Sequence, residues 1–555
     1  MFATRTLDPR ESGECSSFSN ISAGTDIAAE GYVRVPRWAV GPLPFLGVAL
    51  LGCSGDLSPT PNTVGEGGPS HHGTGGSANA PMLWGPCDTS YFPPANLPAP
   101  LELECTDIEV PLHHGVPMGE KLSLRVAIHR SQKHPNAKAV FNLAGGPGSS
   151  AVALAGVVPK TMWRLLTEFD LIYVDQRGTG ASGYIGCSAG HPNTRDEWAV
   201  CASEHDIDPD RYSTVAAAHD LELVREALGY SEIALRGTSY GTRLALEMMR
   251  LHPESLSSVV LDGAAPPDID IIGETLRNFD RGIARLGADC SKDPSCTALA
   301  PDVVSVLSKR RQQLVEAPRQ ILVDGKPMYE TEATFLDFLN EFVSRKRYRF
   351  RIPGAASQAT VGYPQLWDQM MSEAIGGAVM TAPDSYSGEY TGVTEDLTAR
   401  LTLPNRLAMG DSGPASALFA TIMCAEWLPN SMGIADLRTI AAAQTWPSPE
   451  MLELAEACPF WGAHAARPKT RALVLSGVPT LVLSGALDLN TLPAWGDHVA
   501  ESLPRSTHVV LPHETHSTVW TDCGGSLAEQ FILGSGDISR VDQSCVGALQ
   551  KPLWL

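Results

Sequence analysis

An α/β architecture with a mostly parallel central sheet is predicted by three features of this 555-residue chain. Short, nearly continuous apolar runs recur, helical patterns alternate with them, and a glycine-flanked serine stands at one junction between the two. The first four runs are Ala139–Leu143, Leu171–Val174, Ile233–Leu235 and Val259–Leu261; Thr480–Leu483 and His508–Leu511 come far later. Such runs suit parallel strands covered on both faces. Helical periodicity fills Val215 to Leu228 before the third run and Tyr240 to Leu251 after it, so strand and helix alternate. Leu122, Leu124, Val126 and Ile128 alternate with other residues instead, the period of a half-buried antiparallel strand near a sheet edge. Between about Ala265 and Lys469 helical pattern dominates without a comparable series of strands, which predicts an inserted, mainly helical cap.

The N-terminal part has a different character. Residues 1–32 are polar and irregular, and then Arg34 and Arg37 precede the uncharged apolar run Trp38–Leu51, which ends in Leu50-Leu51-Gly52-Cys53. That is the layout of an export signal, and its ending resembles a bacterial lipobox, making Cys53 the candidate for lipidation and for tethering to a membrane. A transmembrane helix fits less well, because Pro42 and Pro44 interrupt a run shorter than the roughly 20 apolar residues a bilayer needs. Ser54 to Ala80, rich in Gly, Ser, Pro and Thr, reads as a flexible tether. The expected division is therefore 1–53 extension and signal, 54–80 linker, 81–264 first part of the core, 265–469 cap and 470–555 second part of the core.

Composition narrows the function classes. The 41 Lys and Arg against 62 Asp and Glu leave a formal charge of -21 without clustered basic residues, which argues against a nucleic-acid partner, since phosphate binding rests on such clusters. Of the 12 cysteines, Cys15 and Cys53 stand apart and the others fall in near-neighbour pairs. Their order suggests Cys87 with Cys105, Cys187 with Cys201, Cys290 with Cys296, Cys424 with Cys458 and Cys523 with Cys545, which oxidising conditions would let close. No C-x-x-C pair occurs, so zinc ribbons and thioredoxin-type sites have no support, and no metal or organic cofactor is required.

The feature that carries chemistry is Gly237-Thr238-Ser239-Tyr240-Gly241, between a strand-like run and a helical pattern. A serine on a tight strand-to-helix turn presents its hydroxyl, and the flanking glycines make room for the turn. A hydroxyl attacks poorly unless a base takes its proton, so an acid and then a histidine are expected downstream. Asp488 follows Thr480–Leu483, and both His513 and His516 follow His508–Leu511. Acyl chemistry also needs donors for a developing oxyanion, and Ala144-Gly145-Gly146-Pro147-Gly148 follows directly on Leu143. The amides of Gly146 and Tyr240 are the candidate oxyanion hole.

These residues resemble the secreted tripeptidyl aminopeptidases and the related proline iminopeptidases, serine peptidases of the α/β-hydrolase fold. The resemblance runs from near Trp84 to Cys545 and rests on Gly145-Gly146-Pro147-Gly148, Asp175-Gln176-Arg177-Gly178-Thr179-Gly180, the turn Gly237–Gly241, and a tail in which His516 precedes Cys523 and Cys545. It implies an α/β-hydrolase fold with a helical cap, a catalytic set of Ser239, Asp488 and His516, and peptide substrates with free N-termini. The tail favours His516 over His513 as base. The charged residues of Asp175–Gly180 read as structural. Two positions depart from the family: Ala144 stands where iminopeptidases carry His, and Thr515-His516-Ser517 replaces Gly-His-Gly. An aminopeptidase must also hold an α-ammonium against a carboxylate, and Glu426, beside Cys424 and Trp427 in the cap, is the candidate. Two alternatives remain at this level: a carboxylesterase using the same triad, and a lipoprotein that keeps the fold as a binding module.

Overall fold

The computed structural model describes residues 82–87, 103–155, 162–188, 190–323, 326–360, 365–376, 414–462 and 464–555. The signal-like segment, the tether, Cys15 and Cys53 lie outside the described residues. Strands β1 (Gly85–Pro86), β2 (Leu103–Pro111), β3 (Lys121–His129), β4 (Lys138–Leu143), β5 (Phe169–Val174), β6 (Ile233–Thr238) and β7 (Leu256–Asp262) precede the hairpin β8 (Arg319–Val323) and β9 (Lys326–Glu330); β10 (Thr480–Gly485) and β11 (Ser506–Leu511) follow. Nine of them make one sheet in the order β1-β2-β3-β5-β4-β6-β7-β10-β11. The first three are antiparallel to their neighbours, and β5 through β11 run parallel.

The six apolar runs are the six parallel strands. In the five strands inside the sheet edge the side chains alternate between two buried clusters, one on each face: Phe141, Leu235 and Val259 lie in the first, Val140, Ala234 and Val260 in the second; in the edge strand β11, Val509 and Leu511 join the second cluster and Val510 is exposed. Burial on both faces is why the sequences of those five strands run apolar almost without a break. The alternating strand β3 is third from the edge, because β2 and the two-residue β1 lie outside it. Sequence reading missed both. In β2, Asp107 and Glu109 interleave with buried Ile108 and Val110, a weaker pattern that charge obscures.

Helix Thr214–Leu228 is capped by Ser213, whose hydroxyl accepts from Ala216 N–H, and stops at Gly229 in the left-handed region; its Ala217, Ala218, Leu221 and Val224 pack on the first sheet face. Between Ile271 and Ala457 most of the described chain is helical, with β8–β9 its only described hairpin. Phe279, Phe335, Phe342 and Trp367 form one apolar centre there. Around Cys424 and Trp427 a second centre includes Trp198 and Tyr240. Five disulfides join the pairs expected from order: Cys87–Cys105, Cys187–Cys201, Cys290–Cys296, Cys424–Cys458 and Cys523–Cys545. Among the described residues no helix is long and apolar enough to cross a membrane.

Candidate active site

The site lies at the carboxyl ends of the central strands, where open α/β sheets bind their ligands. Ser239 follows β6 and enters the helix Tyr240–Leu251 with φ 56° and ψ -125°. For a residue with a side chain this backbone is strained, and the packing around it must hold it there. It does so by close approach: a Cβ on Gly241 would come within 2.4 Å of the Leu143 carbonyl, and one on Gly145 within 3.0 Å of Ser239 Cβ. The Ser239 amide donates to the Asp262 carbonyl at the end of β7 (2.9 Å).

Asp488 and His516 come together although 28 residues separate them. His516 Nδ1 lies 2.8 Å from Asp488 Oδ2, so Nδ1–H donates to the carboxylate and Nε2 is left to act as base. Asp488 is 2% exposed. Its Oδ1 accepts from the amides of Asn490 (2.8 Å) and Thr491 (3.0 Å), and Oδ2 from Thr491 Oγ1 (2.7 Å). Thr491 Oγ1 is also 3.1 Å from His516 Nδ1, so it braces acid and base together. Burial alone would lower the His516 pKa, but the Asp488 carboxylate and its hydrogen bond, with Asp262, overcome that and raise it above the ordinary value. Among the described residues His513 makes no such contact, and burial, with the charges of Lys551, Lys346 and Arg285, lowers its pKa. Among the described residues no hydrogen bond joins Ser239 Oγ to His516, a contact that commonly tightens only once substrate is bound.

The amides of Gly146 and Tyr240 take no acceptor among the described residues, whereas that of Ser239 does. Gly146 adopts φ 110°, a conformation glycine reaches readily. The loop is held by Asp175, which accepts from Ser150 Oγ (2.6 Å) and the amides of Val152 and Ala181 (both 3.0 Å). Arg177 pairs with Asp220 at 2.6 Å. Both charges therefore serve structure, as read from the sequence.

Glu426 needs correction. It sits on a π-helical turn, Met423–Trp427, and borders a small cavity with Tyr212, Ser213 and His464, but its carboxylate is already engaged. Oε1 accepts from Thr214 N–H (2.7 Å); Oε2 accepts from Thr214 Oγ1 (2.8 Å) and Arg243 Nη2 (3.0 Å). Arg243 also binds Glu247, which binds Arg250. Two cations thus balance two carboxylates, and the Glu426 carboxylate is held within this network. Glu426 ties the cap to the nucleophile helix instead. The sequence could not reveal this, because Arg243 lies 183 residues away. The neighbouring Tyr240 phenol, bonded to Thr214 Oγ1 (2.9 Å) and Gln176 Nε2 (3.1 Å), is raised by burial and by the Glu426 charge.

A second serine–histidine–aspartate chain exists. Ser484 Oγ is 2.9 Å from His508 Nε2, and His508 Nδ1 is 2.8 Å from Asp497 Oδ1. Ser484 is fully buried within β10, and a Cβ on Gly496 would come within 2.9 Å of its hydroxyl, so no substrate carbonyl can reach it. Strand-to-helix geometry, and not the residue triplet, distinguishes Ser239.

A serine on such a turn, an acid–histidine pair on the next strand ends and two open amides define the site type of serine hydrolases. A family model for the alpha/beta hydrolase fold matches residues 138–522; the chain belongs to that family. Serine protease Hip1 of Mycobacterium tuberculosis is 28% identical over 244 residues, 39% of this chain and 46% of that protein. The tripeptidyl aminopeptidase of Streptomyces coelicolor is 27% identical over 236 residues, 38% of this chain and 42% of that protein. The matches thus span less than half the length of these relatives. The solved proline iminopeptidase of Mycobacterium smegmatis is similar with 14% identity and a TM-score of 0.36, covering 78% of this chain and 99% of that one.

Proposed function

We propose that this protein is an exported serine exopeptidase that releases short peptides or single residues from free N-termini through an acyl-enzyme on Ser239. The observation that carries the chemistry is the 2.8 Å Asp488–His516 bond beside a strained serine and the unengaged amides of Gly146 and Tyr240. In the reaction Ser239 Oγ attacks the scissile carbonyl carbon while His516 Nε2 takes its proton. The carbonyl oxygen gains negative charge between the two amides. Collapse expels the amine, which receives the proton from His516, and water attacks the acyl-enzyme by the same route in reverse. Asp488 orients the imidazole and stabilises its charged form. The peptidase reading is supported by the relatives named serine protease and tripeptidyl aminopeptidase. Export is supported by the five disulfides, and a lipid on Cys53 would tether the mature chain.

Hydrolysis of an alanyl-alanyl-prolyl p-nitroanilide with a free amine, but not of its N-acetyl form, is the expected result, and it disappears in Ser239→Ala. Cleavage of p-nitrophenyl butyrate alone would make the enzyme an esterase. Silence on all three substrates, with no fluorophosphonate labelling of Ser239, would leave a binding module. Intact mass of the mature protein reads the Cys53 modification.

A further inference from the structure

We propose that Asp262 is a positioning residue that locks nucleophile and base to the same strand end; the inference rests on the triad reading above. Asp262 closes β7 and is fully buried. Its carbonyl accepts the Ser239 amide at 2.9 Å. Among the described residues its carboxylate accepts from the turn that begins two residues after His516: Oδ1 from Thr518 N–H (2.9 Å) and Thr518 Oγ1 (2.7 Å), Oδ2 from Val519 N–H (3.2 Å). Burial raises the Asp262 pKa, and the three donors at the start of the turn Thr518–Trp520 oppose that rise by favouring the ionised carboxylate.

The adjoining residue completes the arrangement. Gly263 donates to the Leu483 carbonyl of β10 at 2.9 Å, the strand whose loop carries Asp488. A Cβ at Gly263, where φ is 65°, would stand 2.6 Å from Thr491 Oγ1 and 3.1 Å from His516 Cε1, so the imidazole rests against a bare α-carbon. Asp262 and Gly263 therefore touch the segments bearing all three triad members. The carboxylate acts through the chain after His516, and the glycine leaves space for the ring.

Charge points the same way. His516 is faced by Asp488 and Asp262 and, from the cap, by Arg345; Asp262 is faced by His516 and by the buried Arg236. Replacing Asp262 by Asn removes one of the two negative charges that favour imidazolium and turns an NH2 toward a donor of the 518–519 turn.

The test uses the full chain, a fluorophosphonate–rhodamine probe and p-nitrophenyl butyrate, with wild type, Ser239→Ala, Asp262→Asn, Thr518→Val and the Asp262/Thr518 double variant. Asp262→Asn is expected to slow labelling about ten- to hundredfold, the scale of a small misplacement of catalytic groups, and to move the acid limb of the labelling rate to lower pH. Its kcat falls while KM stays within about twofold, as for an interaction realised in the transition state. Thr518→Val slows labelling about threefold or more and adds little to Asp262→Asn, as partners in one interaction do. Wild-type labelling rates with an unmoved acid limb, or a change in KM alone, would overturn the proposal while an unlabelled Ser239→Ala keeps the triad reading intact. Undiminished labelling of Ser239→Ala would overturn the triad reading itself. If Asp262→Asn does not fold, Thr518→Val decides, and a wild-type rate there refutes the assignment.

Discussion

Removing the Glu426 carboxylate separates a structural ion pair from a substrate-binding one. Side-chain exposure is 3% at Glu426, 1% at Arg243 and 0% at Glu247, so solvent cannot replace what is lost. In Glu426→Ala, Arg243 Nη2 keeps only the Thr470 carbonyl (2.8 Å), and Thr214 N–H loses its 2.7 Å acceptor. Leaving one partner of a buried pair uncompensated costs about 3–5 kcal/mol. Glu426→Gln preserves shape, but whichever way the amide turns, its NH2 meets either Thr214 N–H or Arg243. One unsatisfied buried donor costs about 1–3 kcal/mol, so Gln should fall between wild type and Ala. Equilibrium urea unfolding with disulfides intact measures both, and KM for the free-amine tripeptide is taken on the fraction that remains folded. The reasoning fails if the unfolding midpoint is unchanged while that KM rises and ester hydrolysis is spared, because Glu426 would then be facing substrate.

The remaining expectations concern the histidine loop. Because the His516 pKa is raised and the base must be neutral, the acid limb of kcat/KM should lie above the ordinary histidine value of about 6.5, with rate lost as pH falls through it; Asp488→Asn should lower that limb and reduce kcat by about 10³–10⁴-fold. Ser517 sits at φ 70° and ψ 59°, where a side chain costs about 1–2 kcal/mol and glycine does not; part of that gain is lost to the freer unfolded chain. Ser517→Gly should therefore raise stability by ~0.5–1 kcal/mol, the net of those two effects, read as a higher urea midpoint. Cys523–Cys545 closes a loop of 22 residues in separation just after the triad histidine, and replacing both by Ser should cost about 3 kcal/mol, seen as a lower Tm.

The two residues that flank His516 in place of the family's glycines have physical readings. The residue after His516 lies in the left-handed region, which is the reason a glycine is at home there and a serine is strained. Thr515 is buried, its carbonyl facing Gly485, where a Cβ would approach to 2.1 Å. The close fit is therefore supplied from the strand side of the loop.

Local sequence determined the parallel strands, the nucleophile turn and the chain order of serine, acid and base, because each is written in contiguous residues: apolar runs buried on both faces, glycines where backbones touch, polar residues just past strand ends. It also determined the disulfide partners, which are neighbours in sequence. Only the tertiary structure decided which charges are spent. Glu426 finds Arg243, Asp262 finds the turn after His516, and Thr491 braces acid against base; the first two join segments 183 and 256 residues apart. Whether a buried carboxylate is free for substrate or neutralised within the protein depends on those partners, and no local pattern in the chain encodes them.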